Sequence, residues 1–116
     1  MTIRLAILTL ISMFTLAAAD LNGKWKGNLA TPNGDLEINF NFQVSVEKLT
    51  GTVANTYGEE QITEGTVKVD AISFIVLAGG GQFRIVYKGT VAGEDIKFHV
   101  TIGEMGDADM VAKRVK

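Results

Sequence analysis

From Asp35 to Val46 apolar and polar side chains alternate without a break. Leu36, Ile38, Phe40, Phe42, Val44 and Val46 fall on one side, and Glu37, Asn39, Asn41, Gln43 and Ser45 on the other. A period of two belongs to extended chain, whose successive side chains point to opposite faces. The stretch is therefore a strand with one dry face and one wet face. No amphipathic helical period follows it, so the dry face must meet a second sheet or the same sheet closed on itself.

The same alternation, punctuated by turn chemistry, predicts eight strands at about 23–30, 35–46, 48–56, 63–69, 71–78, 82–92, 94–102 and 109–115. Thr31-Pro32-Asn33-Gly34 supplies the first turn, with proline fixing φ and glycine free to take a positive one. Gly58-Glu59-Glu60 reads as another turn and Gly79-Gly80-Gly81 as a hairpin tip. Short connections make sequence neighbours antiparallel neighbours, and an even-numbered meander with one apolar face can close and lose its edges. The expected class is all-β: an eight-stranded antiparallel up-and-down barrel, with a two-sheet sandwich as the alternative.

An internal repeat supports the hairpin reading. Residues 65–76, GTVKVDAISFIV, align without a gap on residues 89–100, GTVAGEDIKFHV, and six of the twelve positions are identical. A period of 24 residues holds two strands and their turns. Gly51, Gly65 and Gly89 fall on the inward parity, where a missing side chain lets a strand coil or makes room for a facing ring.

The first nineteen residues have a different pattern: Arg4, an apolar run from Leu5 to Leu16, then Ala17-Ala18-Ala19. That run is too short to span a bilayer and ends in small residues, so residues 1–19 read as a signal peptide cleaved after Ala19. The expected location is secreted or periplasmic, with residues 20–116 as one domain and no membrane span after cleavage. Removing Arg4 from eleven basic residues leaves ten against thirteen acidic ones, a net charge of −3. Basic residues are dispersed in sequence, which argues against a nucleic acid partner. With no cysteine and one histidine, the chain offers no disulfide, no thiol chemistry and no soft metal site.

Gly23-Lys24-Trp25 at the head of the first strand, followed by a short-stranded meander and Arg114 in the last strand, resembles the calycin group of lipocalins and avidins. The resemblance implies that Trp25 packs at a closed end with Arg114 over it as a barrel-closing pair. A guanidinium on an indole is worth about 0.5–2 kcal/mol. Leu49-Thr50-Gly51-Thr52-Val53 is similar to the avidin Leu-Thr-Gly-Thr-Tyr strand but departs from it at Val53. Avidin sites carry several tryptophans and this chain has one, so the likeness does not imply biotin. The hairpins are also similar to small exported bacterial β-domains that bring no activity with them.

Few residues offer chemistry. His99 lies on the wet parity, and an enzyme reading would pair it with Glu94 or Asp95 in a hydrolase-like site. The stretch Glu104 to Asp109 lacks the ligand spacing of a dedicated calcium loop and reads as a solvated turn. No cofactor, metal or catalytic constellation is expected.

The aromatic residues carry more information. Trp25, Tyr57, Tyr87, Phe40, Phe42, Phe74, Phe83 and Phe98 all have inward parity, so no outer aromatic platform for sugars is expected. The expectation is a non-catalytic binding module holding a small apolar ligand in the barrel mouth near Phe40, Phe42, Tyr57, Phe74, Tyr87 and Phe98. In the alternative, side chains fill the barrel, and an outer patch of Ile75, Leu77 and Val86 meets a protein partner or a second copy.

Overall fold

The computed structural model describes residues 20–116; the signal peptide reading lies outside them. Eight strands form a closed antiparallel up-and-down barrel in sequence order. They are β1 (Gly23–Thr31), β2 (Gly34–Ser45), β3 (Lys48–Asn55), β4 (Gly58–Lys68), β5 (Ala71–Ala78), β6 (Phe83–Ala92), β7 (Asp95–Ile102) and β8 (Gly106–Arg114). The sandwich alternative is excluded by this closure.

Two boundaries differ from the sequence expectation by more than one residue. β4 begins at Gly58 rather than 63, because Thr56-Tyr57 makes the turn and Gly58-Glu59-Glu60 is already strand. β8 begins at Gly106 rather than 109, so Asp107 and Asp109 are ladder residues. Both stretches combine glycine with acidic residues, a composition that solvated turns share.

The repeat is two hairpins with one inward set. Val67 pairs with Ile72 as Val91 pairs with Ile96, and Phe74 and Val76 occupy the positions of Phe98 and Val100. Aligned with Gly93 in the second turn is Val69, and the two share a positive φ of 58° and 64°.

Glycine decides the curvature at two places. A Cβ on Gly51 would lie 1.8 Å from the Asn41 carbonyl oxygen, and one on Gly65 would lie 2.1 Å from that of Leu49. Both glycines flank register shifts that bend β3 and β4, the usual device for curling a sheet into a barrel. Gly89 leaves the space taken by the Phe98 ring. The core runs through the barrel centre, with no buried polar or charged residue among those described.

The seam that closes the barrel is its shortest ladder. Trp25, Lys26 and Gly27 of β1 pair with Arg114, Lys113 and Ala112 of β8, while β1 pairs with β2 over nine residues.

Candidate functional site

The two ends of the barrel are built differently. At one end the chain crosses the opening before β1 begins. Leu21 is fully covered there, and its carbonyl accepts a hydrogen bond of 3.1 Å from Trp25 Nε1. Arg114 lies over the indole, its Cζ 4.4 Å from the ring centroid. Its guanidinium donates to the carbonyls of Asp20 and Asn22 and, through Nε, to Glu94 Oε2 at 2.8 Å. Asn22 Oδ1 accepts from the Val44 amide at 2.8 Å. Among the described inward apolar side chains of the strands at this end, only Val44 and Val91 remain half-buried. This is the sealed end.

The opposite end is bounded by residues 32–33, 56–57, 79–82 and 103–105, connections too short to fold over it. Inward-facing Leu36, Ile85, Ile102 and Ala108 are only half-buried here, and Phe83 at the rim is 43% exposed. Solvent therefore reaches an apolar inner surface. This is the mouth.

Between the ends sits an aromatic floor. Phe74 and Tyr87 stack with centroids 4.7 Å apart, Phe40 and Phe98 at 5.3 Å, and Phe42 joins Phe40 at 5.5 Å. Edge-on contacts link the two stacks. These rings pack on one another and are buried rather than standing at the rim, so they form the base of a mouth and not its walls. Burial pushes the Tyr87 phenol up to about 12, because the anion would lose its hydration.

Tyr57 is a correction. It occupies the β3–β4 turn, is 86% exposed and lines no interior, because the turn falls at Thr56-Tyr57 and breaks the parity on which inward placement rested. The outer patch also changes character. Ile75 and Val86 face each other across β5 and β6, yet Ile75 is only 8% exposed, since its neighbours on the sheet already cover it. Leu77 alone of the three is substantially open, at 44%.

His99 does not meet Glu94 or Asp95. Glu94 accepts from Arg114, and Asp95 from Lys113 Nζ at 3.2 Å. Instead the imidazole lies between two residues of β8, with Nδ1 2.7 Å from Asp109 Oδ1 and Nε2 3.2 Å from Asp107 Oδ2. Both nitrogens can donate only in the imidazolium form. The hydrogen bond to Asp109, then that to Asp107, raises the pKa above the ordinary 6.5. This exposed clasp has no nucleophile within its hydrogen bonds and staples β7 to β8. Its signal was the alternation Asp107-Ala108-Asp109-Met110, whose inward Ala108 and Met110 mark a strand.

Glu60 is the other residue that sequence reasoning missed. It pairs with inward-facing Val53 and precedes inward Ile62 by two, so its carboxylate shares the inner face at the mouth. Among the described residues no group of histidines and carboxylates has metal-binding geometry, and no helix is long and apolar enough to cross a membrane. No protein-family model, curated protein or solved structure matches the chain.

Proposed function

We propose that this protein is an exported, non-catalytic binding module that holds a small apolar ligand in the open mouth of its barrel. The observation that carries this reading is the asymmetry of the ends. Leu21, Trp25 and Arg114 close one opening, whereas the other keeps Leu36, Ile85 and Ile102 inward, apolar and reached by solvent. An apolar surface held open by short turns loses water when a ligand covers it, worth roughly 25 cal/mol per Å². The ligand rests on the floor of Phe74 and Tyr87 and does not enter the packed centre. The lipocalin resemblance points to the same use of a barrel. The rival reading, an outer contact through Ile75, Leu77 and Val86, has less to offer because Ile75 is already covered.

The test is fluorescence titration of the purified protein with the neutral apolar probe N-phenyl-1-naphthylamine. Saturable binding is expected, lost on Ile102→Asp and kept on Leu77→Ser, with far-UV circular dichroism confirming that both variants fold. Absence of saturable binding, or binding unchanged by Ile102→Asp, would discard the mouth.

A further inference from the structure

The charges of the barrel are sorted along its axis in a way that their order in the chain conceals. Dividing each strand at its midpoint, the mouth half holds Asp35 and Glu37 of β2, Glu59 and Glu60 of β4, and Glu104 in the β7–β8 turn. Asp107 and Asp109 of β8 bring the carboxylates there to seven, against one basic residue other than His99, Arg84. The sealed half holds the other nine lysines and arginines of residues 20–116 and the other six carboxylates. With His99 neutral, the net charge of −3 is thus −6 at the mouth and +3 at the sealed end.

The sorting has a cause in the register. Antiparallel neighbours bring alternate turns to the same end, so residues 35, 59 and 104 meet although they lie far apart in sequence. Pairing does not cancel the mouth charge. Lys26 reaches Glu37 only at 3.7 Å, with both side chains half exposed, and His99 can neutralise at most one of Asp107 and Asp109. Asp35, Glu59, Glu60 and Glu104 form no ion pair among the described residues.

Within this field Glu60 has a special place. Among the described residues it is the one charged side chain on the inner face at the mouth, half-buried between Val53 across the ladder and Ile62 two residues on. Arg84 pairs with outward Leu77 and so faces away. A carboxylate on an apolar rim is the complement of a ligand with an apolar body and a protonated amine, which can donate to the oxygens while its chain covers the aliphatic wall. An anionic amphiphile of the same length would meet uncompensated like charge at the rim and be rejected.

We propose that the mouth selects apolar ligands bearing a cationic amine headgroup, with Glu60 as the residue that receives the headgroup and the surrounding carboxylates as the field that attracts it. This rests on the mouth being the binding site, and its test separates the two. Dodecylamine, dodecanoate and dodecanol, each below its micellar concentration, compete with N-phenyl-1-naphthylamine on the purified protein. The amine is expected to displace the probe at concentrations about tenfold lower than dodecanoate, and added salt should narrow that gap. Glu60→Gln should cut severalfold the ratio of the dodecanoate to the dodecylamine concentration needed for displacement, a ratio in which any change in the probe's own affinity cancels, whereas Glu104→Gln, in the field but off the inner face, should reduce it only slightly. Equal displacement by amine and carboxylate, with the probe still binding, would overturn the charge selection and leave the mouth standing. Probe and amine both failing to bind would overturn both. An amine preference equal in wild type and Glu60→Gln would remove Glu60 from its role.

Discussion

His99 shows how a lone residue acquires a role from the strand beside it. Held between Asp109 and Asp107, its imidazolium is favoured in the folded state, so its pKa lies above that of the unfolded chain. The stabilisation is whole below about pH 6.5, the unfolded value, and is lost as pH rises through the higher folded value. NMR titration of the ring should give a pKa above 6.5, lowered more by Asp109→Asn than by Asp107→Asn. An unshifted ring would show that the clasp does not form. Tyr87 runs parallel: its phenol, raised from 10.0 to about 12, stabilises the fold below pH 10 and ceases to do so as it ionises. The sequence disclosed His99 as outward. It hid the partners, because acids eight and ten residues away in the chain face it only through pairing of β7 with β8.

At the scale of the element, the hairpin turns of the sealed end carry a local conflict. The β2–β3, β4–β5 and β6–β7 turns each have two residues, with φ near +60° at the first: Val46 at 59°, Val69 at 58° and Gly93 at 64°. That conformation suits glycine and strains a β-branched residue. Val69→Gly removes about 1–2 kcal/mol of left-handed strain and costs roughly 0.5–1 kcal/mol in glycine entropy. Because Val69 is largely exposed, little packing is lost. A net stabilisation of about 0.5–1 kcal/mol is expected, read as a higher urea midpoint, and a lower midpoint would show that Val69 makes contacts that outweigh its strain. Alternation made most strands legible. It failed at the starts of β4 and β8, where Gly-Glu-Glu and Gly-Asp-Ala-Asp have the composition of turns but the pairing of strands.

For the whole molecule, closure depends on joining the first strand to the last over three residue pairs, and Arg114 secures that join. Its guanidinium stacks on Trp25 and donates to the Glu94 carboxylate and to two carbonyls of the segment that plugs the barrel. Arg114→Ala should destabilise the protein by about 2–3 kcal/mol, from lost cation–π and charge-assisted hydrogen bonds. Arg114→Lys should recover less than half, since a single ammonium cannot reach all these acceptors in a planar fork. Urea denaturation measures both, and a lysine variant as stable as wild type would reduce the pair to simple charge.

What the sequence determined by itself is what depends on neighbours along the chain: the period of two, the hairpin repeat, and the inward glycines and rings. From these an eight-stranded meander with one apolar face follows, since alternate side chains must share a face whatever the partner strand is. Its closure into a barrel rather than a two-sheet sandwich was decided by the pairing of β1 with β8. Only the tertiary structure decided which inward residues are sealed and which line an open mouth. Phe40, Phe74 and Ile85 have the same parity, and burial separates them because the chain crosses one end of the barrel and not the other. It also decided the company of His99 and the gathering of carboxylates around Glu60. Those depend on register between strands, which brings residues far apart in sequence to one end or one face, and no local pattern encodes that distance.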